Sequence, residues 1–555
     1  MIIICGKITV HVLYNNERNY AGMVKSYFEE ADQSTNQGMN NSTDQGIDQD
    51  TNNGIDQSTS QSTDQPTNKG TSHRTEQGTH QSVEISVDKS TDQSTKNSAN
   101  TSIFNNKDAN VPNINRKTVS FMTLGCKVNQ YETEAMAEAF ANAGYEQVEF
   151  DEKADVYVIN TCTVTGLSAR KSRQAIRRAK QENPEAIVAA VGCYPQTAQK
   201  EVEALEEVDI VVGTSDRKRL PEYVEQFMTG CGSKVSTVAD IMKNHVFEDL
   251  NIENYKDRTR GMLKIQEGCS QFCSYCIIPY ARGPIRSRPF EDVMAEVEKL
   301  AAAGFKEIVL TGIHIASYGK DLGKIRLMDL ISRIHEVDGI ERIRIGSIEP
   351  TIITEEFAAA AAGLRKLCPH YHISLQSGCD ETLKRMNRRY STDEYRNVVN
   401  ILRKYIPDAA ITTDVMVGFP GETDEEFERT YKFLEEIEFS KMHVFKYSPR
   451  KGTPAAAFEG QVDGNVKEAR SARVIKLSER LGIEYINRFV GRELPVLYEQ
   501  EVKGTEGFYE GLTPNYIRVV SKGDNSLAGK IVATRLISAD KEGNAEGELV
   551  SDDIT

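Results

Sequence analysis

Between residues 117 and 215, short apolar runs alternate with stretches in which apolar residues recur every three to four positions. The runs at 119–124, 156–160, 187–191 and 210–212 read as strands, and 132–143, 168–181 and 196–206 read as helices. Near-continuous apolar strands separated by amphipathic helices predict a parallel α/β sheet. A longer series follows, with strands predicted at 262–266, 308–311, 343–346, 372–375, 411–417 and 443–447 and helical segments between them. Six β/α repeats suit a partial (β/α)6 TIM-like barrel, whose active face lies at the carboxyl ends of its strands. After a helix over 466–486 the pattern turns to short strands with glycines, at 494–498, 516–520 and 530–536, which reads as a small β-barrel.

The chain ahead of residue 117 is different. From 32 to about 115 it is a run of Ser, Thr, Gln, Asn, Asp and Gly, in which the tetrad Ser-Thr-Asp-Gln recurs at 42–45, 62–65 and 90–93. With almost nothing to bury, such a segment cannot offset its ordering entropy, so disorder is expected rather than a solenoid. A glycan-bearing or adhesive stalk is the alternative, and it lacks an export signal to support it. Residues 1–30 are more apolar but too short to fold alone and stay unassigned. The patterns divide the chain into 1–30, a low-complexity tract 31–116, an amino-terminal α/β domain 117–230, a barrel 255–486 and a β-barrel 488–551, with 230–256 as a linker.

A length of 555 residues agrees with about three or four domains. No stretch reaches the roughly 18 apolar residues of a membrane span, and the first residues lack a basic leader and cleavage site, so a cytoplasmic protein without a membrane partner is expected. The net charge of −15 argues against a wholly basic nucleic-acid binder, but its distribution is uneven. Residues 31–100 carry ten acidic and four basic side chains, and −9 is left for 116–555. Local patches therefore have to be judged separately.

The ten cysteines are too sparse for a disulfide scaffold and, in a reducing compartment, point to metal or redox work. Cys269, Cys273 and Cys276 stand in Gly268-Cys269-Ser270-Gln271-Phe272-Cys273-Ser274-Tyr275-Cys276, just after the first barrel strand. A ferredoxin-type cluster takes four cysteines; three thiolates on one tight loop hold three corners of a [4Fe–4S] cube and leave one iron for a small molecule. A zinc knuckle is the competing reading, but it needs a fourth Cys or His nearby, and the nearest later ones are His314 and Cys368. Cys126, Cys162 and Cys193 each follow one of the first three strands of the α/β domain. In an open parallel sheet the ligand crevice lies at those strand ends, so the three meet at one edge as a second incomplete cluster site, unless they are separate core cysteines. Cys5, Cys231, Cys368 and Cys379 have no partner spacing and read as buried apolar residues or spare thiols.

On these motifs, residues 117–550 resemble the radical S-adenosylmethionine (SAM) methylthiotransferases. The resemblance is carried by Leu124-Gly125-Cys126-Lys127-Val128-Asn129-Gln130-Tyr131-Glu132-Thr133, by Asn160-Thr161-Cys162-Thr163-Val164-Thr165, and by the cysteine loop continuing through Pro279-Tyr280-Ala281-Arg282-Gly283-Pro284-Ile285-Arg286-Ser287-Arg288-Pro289. Ser347-Ile348-Glu349-Pro350, Ser374-Leu375-Gln376-Ser377-Gly378 and Val417-Gly418-Phe419-Pro420-Gly421-Glu422 add to it. The resemblance implies a cluster domain, a radical-SAM barrel and a TRAM β-barrel in that order, with SAM and two [4Fe–4S] clusters as cofactors. By resemblance, Cys269, Cys273 and Cys276 hold the catalytic SAM cluster, where reductive cleavage yields a 5′-deoxyadenosyl radical, and Cys126, Cys162 and Cys193 hold an auxiliary cluster that carries sulfur. The motifs look most like the branch that adds a methylthio group to C2 of N6-threonylcarbamoyladenosine at tRNA position 37. Sister branches act on isopentenyl-adenosine in tRNA or on a ribosomal-protein aspartate. A tRNA substrate, an electron donor such as flavodoxin or ferredoxin, and a sulfur source are the implied partners.

For SAM contacts, Tyr275 is placed to flank the adenine, Gly312 to permit close backbone approach, and Glu349 and Gln376 to hydrogen-bond its polar groups; ordinary strand-end hydrogen bonding is the alternative for the last two. His314 reads as a packed histidine. For RNA, Arg170, Lys171, Arg173, Arg177 and Arg178 form one basic helix face, and Arg282, Arg286 and Arg288 follow the cysteine loop. Phosphates attract such patches, although a basic helix face is often only solvated. Tyr498, Tyr509 and Tyr516 are candidate stacking rings for unpaired bases, with core tyrosines as the alternative. Two further classes stay open: a non-catalytic iron–sulfur electron carrier, and an RNA-binding protein with structural cysteines.

Overall fold

The computed structural model describes residues 117–230, 232–250, 252 and 259–550. The tracts read as unassigned (1–30) and as disordered (31–116), together with Cys5 and Cys231, lie outside the described residues.

The amino-terminal sheet is all parallel, in the order β2-β1-β3-β4-β5-β6. Its strands are β1 (Thr118–Thr123), β2 (Glu146–Val148), β3 (Val156–Thr161), β4 (Ile187–Gly192), β5 (Ile210–Val212) and β6 (Val235–Thr237). The strand runs are apolar throughout because both faces are covered. Val156 and Val158 join Met136, Phe140 and Leu220 on one face, while Tyr157 and Ile159 join Ala175 and Ile176 on the other. The order reverses at β1, which has β2 on one side and β3 on the other. A crevice therefore opens at the carboxyl ends of β1 and β3.

The second unit is an arc of parallel strands: β7 (Arg260–Glu267), β9 (Glu307–Gly312), β10 (Arg342–Ile345), β11 (Ser347–Ile348), β12 (His370–Ile373), β13 (Ala410–Val417) and β14 (Lys441–Lys446). The two-residue β8 (Arg286–Ser287) pairs antiparallel with β7. Only Gly346 separates β10 from β11, so one predicted strand is shared between two four-stranded sheets, and the expected partial six-repeat barrel results. One continuous core runs from Leu263 on β7 to Leu481 on the helix Gly464–Asn487.

A closed five-stranded barrel follows, β15 (Glu493–Glu501), β16 (Phe508–Leu512), β17 (Arg518–Lys522), β18 (Ile531–Ala539) and β19 (Ala545–Leu549), in the order β15-β16-β17-β19-β18. It docks on the amino-terminal end of the arc. Arg344 donates to the Thr513 and Pro514 carbonyls, Arg342 donates to those of Leu512 and Pro495, and both lie beside Glu307 at the start of β9. Tyr516 stacks flat on His370 at 4.0 Å. Tyr498 and Tyr509 are buried, Tyr498 bonded to Ser521 and Thr534. The three tyrosines are thus core or junction residues, and the stacking role is corrected.

Burial opposes ionisation of Glu307, but Arg344 outweighs it, aided by Arg260 and Arg342, and holds the carboxyl at about 2. A folded value below the ordinary 4.5 means that this carboxylate stabilises the fold above pH 4.5 and loses its contribution as pH falls toward 2. The stability difference between wild type and Glu307→Gln, measured by urea unfolding, should therefore shrink across that window. A difference that stays constant from pH 5 to 2.5 would rule the account out.

The segment read as a linker, 230–256, does more than connect. It supplies β6, and Leu250 and Ile252 pack on Tyr131 and Ala135. No helix among the described residues is long and apolar enough to cross a membrane.

Candidate metal centres

Cys126 caps the helix Lys127–Asn142 directly after β1, Cys162 follows β3, and Cys193 opens the short helix Cys193–Thr197 after β4. The strand-end reading therefore brings them together at the crevice. A Cβ on Gly125 would sit 3.1 Å from Cys162 Sγ, and Gly125 itself takes φ +114, so only glycine lets the β1 and β3 loops approach this closely. Asn129 ties the same loops, its amide donating to the Leu124 and Thr161 carbonyls at 2.7 and 3.0 Å. Burial pushes the Cys193 thiol up to about 12; Arg282 pulls it down, and the Cys162 and Cys126 sulfurs push it further up.

The barrel trio sits on the loop after β7. Gly268 has φ +76, and a Cβ there would lie 1.8 Å from the Pro284 carbonyl oxygen, so glycine alone permits the turn into Cys269. The Cys269 amide donates to Gly283, that of Ser274 to Met386, and that of Ala455 to the Ser274 carbonyl. Burial pushes Cys276 up to about 12, with Cys273 and Cys269 among the contributors, and Cys269 up to about 11.

Burial thus holds Cys162 and Cys193 of one trio, and Cys269 and Cys276 of the other, above the ordinary thiol range, while Cys126 is exposed at the crevice. A bound cation makes thiolates of such buried thiols. Among the described residues no group of three or more His, Cys, Asp or Glu is drawn tightly enough around one point for a single metal ion. The donor set of each trio instead suits three corners of a cube, with no fourth Cys or His ligand grouped with it among the described residues.

Two arginines face the sulfurs. Arg388 Nη1 donates to Cys273 Sγ at 3.3 Å, and its guanidinium lies over the Tyr390 ring and 3.5 Å from Glu349. Arg282 Nε donates to Cys193 Sγ at 3.3 Å. Sequence reading missed Arg388, which stands 115 residues after Cys273 with no local signal. It also missed Phe272 and Tyr280, whose rings meet edge to face at 5.9 Å and which stay about two-fifths exposed beside the barrel loop.

The proposed SAM contacts fall in one region. Glu349 accepts from Gln271 at 2.9 Å and lies 3.0 Å from His314 Nε2, while the His314 amide donates to Gln266. His314 is buried, as a packed histidine should be. Burial opposes ionisation of Glu349, but His314 and Arg388 hold its carboxyl below the usual range. Gln376 adopts φ +70, rare for a residue other than glycine and a form of strain found at functional sites. Its backbone is pinned to Asp414 and Met416, and its side chain makes no hydrogen bond among the described residues. Tyr275 packs edge-on to Phe419 at 6.4 Å. At Gly312 a Cβ would lie 2.8 Å from the Gln266 carbonyl, so the close approach there is to the neighbouring strand.

The arginines expected to meet RNA after the cysteine loop do not face solvent. Arg282, Arg286 and Arg288 are at most 1% exposed. Arg282 pairs with Glu132 and Glu267, Arg286 lies 3.7 Å from Glu267, and Arg288 pairs with Glu296 and Asp249. Buried carboxylates satisfy their charge, so they present none to a phosphate, and that reading is corrected. On the helix Gly166–Glu182, Arg170 and Arg177 are exposed, while Arg173 pairs with Glu201, Arg177 with Glu207, and Arg178 with Asp151 and Glu182. Lys171 is half-buried.

Comparison with known proteins agrees with this geometry. Residues 263–434 match the radical SAM superfamily, and residues 118–213 match the uncharacterized protein family UPF0004. The threonylcarbamoyladenosine tRNA methylthiotransferase MtaB of Bacillus subtilis (strain 168) is 47% identical over 444 residues, covering 79% of this chain and 98% of that protein. The protein of the same name from Aquifex aeolicus (strain VF5) is 40% identical, over 75% of this chain and 98% of that one. A tRNA-2-methylthio-N(6)-dimethylallyladenosine synthase from Pelotomaculum thermopropionicum is 36% identical, over 76% of this chain and 96% of that one.

Proposed function

We propose, from the premise that this chain belongs to the radical-SAM methylthiotransferase family, that it adds a methylthio group to C2 of N6-threonylcarbamoyladenosine at position 37 of tRNA. The observation that carries the reading is the pair of three-cysteine sets, one at the carboxyl ends of β1, β3 and β4 and the other on the loop after β7, each one ligand short of a complete cube among the described residues. Bound there, two [4Fe–4S] clusters would supply SAM cleavage at Cys269, Cys273 and Cys276 and sulfur delivery at Cys126, Cys162 and Cys193. An aromatic C–H carbon is neither acidic nor electrophilic enough for side-chain acid–base chemistry, so the protein's part is binding, orientation and exclusion of water.

That part falls to identifiable residues. Gln376, strained and with no side-chain hydrogen bond among the described residues, and Glu349, kept ionised, are positioned to hold polar groups of SAM, and Tyr275 lines the same region. The two trios are tied together by the loop after β14. There Ser448 accepts from the Gly166 amide at 3.1 Å, Arg450 donates to Thr163 at 2.6 Å, and Ala455 reaches the Ser274 carbonyl. Phe272 and Tyr280 offer stacking surface for unpaired anticodon-loop bases, and the exposed Arg170 is the phosphate contact we retain from the basic helix.

Residues 117–230, 255–486 and 488–551 are assigned as the cluster, radical-SAM and TRAM domains. A cytoplasmic setting, a flavodoxin- or ferredoxin-type reductant and a separate sulfur source complete the reading. The branch rests on the higher identity to the threonylcarbamoyladenosine enzymes than to the dimethylallyladenosine enzyme. Mass spectrometry of tRNA nucleosides from cells lacking this chain tests it, and loss of the methylthio-threonylcarbamoyl nucleoside is expected. Loss of methylthio-isopentenyladenosine instead would move the chain to the sister branch, and unchanged tRNA would point to the ribosomal-protein branch.

A further inference from the structure

Arg282 ends the short helix Ile278–Arg282 that begins two residues after Cys276, so by sequence it belongs to the barrel cysteine loop. Its side chain works elsewhere. Nε donates to Cys193 Sγ at 3.3 Å; Nη1 donates to Glu132 and, at 2.7 Å, to Glu267; Nη2 donates to Asn129 at 2.6 Å and to Glu132 at 2.9 Å. All five guanidinium donors are used. Asn129 in turn holds the carbonyls of Leu124 and Thr161, which stand just ahead of Cys126 and Cys162. Glu267 is two residues before Cys269. One buried side chain from the barrel loop thus reaches the Cys193 sulfur directly, and the loops of Cys126 and Cys162 through a single asparagine.

We propose that Arg282 is a positioning residue for the amino-terminal cluster: it raises the cluster's reduction potential through the hydrogen bond to Cys193 and fixes that cluster's three loops against the barrel loop. The inference rests on the reading that Cys126, Cys162 and Cys193 hold a cluster. A donor to a ligand sulfur withdraws electron density and favours the reduced state. Glu132 and Glu267 are shared with Arg217, Lys264 and Arg286, so they offset the guanidinium charge only in part, and a substitution that keeps the charge is needed to isolate the hydrogen bond. Lysine keeps the charge but has no planar fork with which to reach the sulfur and three other partners at once. Arg388 stands in the corresponding place at the barrel trio, on Cys273, so each trio has its own arginine donor.

The test uses the full chain with Cys269, Cys273 and Cys276 replaced by alanine, leaving only the amino-terminal cluster, and with its arginines labelled with nitrogen-15. The cluster is reduced with dithionite or, where its potential lies lower, a europium(II) chelate. Pulsed EPR should then show a nitrogen-15 coupling on the reduced cluster. Arg282→Lys should abolish it and move the midpoint potential to a more negative value, while Arg450→Lys, at the other arginine near this trio, should leave it in place. A cluster assembled at about four irons that shows no arginine coupling overturns the inference, as does an Arg282→Lys potential equal to that of its parent. If Arg282→Lys does not fold, the coupling in the parent and its persistence in Arg450→Lys decide the matter. A chain that binds no iron at all would sink the two-cluster reading itself, and the inference with it.

Discussion

Replacing Cys126, Cys162 and Cys193 together by alanine is expected to abolish methylthiolation of tRNA while leaving reductive cleavage of SAM to 5′-deoxyadenosine in place. Iron should fall from about eight to about four per chain. The turn of the barrel loop is fixed by Gly268, Gly283 and Met386 on its own side; Arg282 at the end of that loop donates to Cys193, but its bonds to Glu132, Glu267 and Asn129 hold it in place without that sulfur. Alanine at the strand ends removes one atom from each of three sites that already pack closely, so the α/β domain should still fold. The converse replacement, at Cys269, Cys273 and Cys276, should abolish both activities, because the SAM-cleaving step is then missing as well. Quantifying 5′-deoxyadenosine and modified nucleoside in the same anaerobic reaction separates the two. Modified tRNA from the amino-terminal triple variant would defeat the division of labour. Loss of SAM cleavage in that variant, with four irons retained, would mean that the trios act as one site.

The cysteines were legible in the sequence because their positions follow from local rules. Three thiols within eight residues form one loop whatever surrounds them, and three thiols each placed after a buried parallel strand must meet at one sheet edge. The strands were legible for a related reason: β1, β3, β4 and β5 are apolar on both faces, so their runs stand out, and β5 was placed residue for residue at 210–212. What was not legible is set by non-local or two-sided context. The edge strands β2 and β6 are three residues each and partly exposed, and they carry no apolar run to betray them. β16 and β19, Phe-Tyr-Glu-Gly-Leu and Ala-Glu-Gly-Glu-Leu, exist because the barrel closes around them rather than through intrinsic preference. The helix expected over 196–206 is instead two short helices broken at Ala198, because Cys193 itself starts the first turn after β4. The arginines following the cysteine loop were misread for the same kind of reason. Glu132 lies 150 residues from Arg282, and nothing in the local pattern of Arg282, Arg286 and Arg288 reveals that their partners are buried carboxylates rather than phosphates.

That buried network carries the second large prediction, at Glu132. Its side chain is fully buried and takes four cationic contacts: Arg217 Nη1 at 2.5 Å, Lys264 at 2.9 Å, and both terminal nitrogens of Arg282. Burial alone would raise its carboxyl, yet Arg217, Arg282 and Lys264 together hold it at about 2. Glu132→Ala would leave those three cations with Glu267 as their one fully buried counter-charge and Glu248 at the margin. Orphaning buried charges in this way costs about 3–5 kcal/mol. An exposed pair such as Arg480 with Glu484 contributes about 0.5 kcal/mol or less, so Glu484→Ala is the matched control. Urea unfolding of the metal-free chain, followed by circular dichroism, should therefore show a much lower midpoint for Glu132→Ala and almost none of that shift for Glu484→Ala. Equal midpoints for the two variants would show that the network is replaceable solvent structure. The expected loss has a consequence for both trios at once: Lys264 and Glu267 belong to β7, Arg282 to the barrel loop, and Glu132 to the helix that Cys126 caps. Removing that one carboxylate should lower iron retention at each trio although it touches no cysteine.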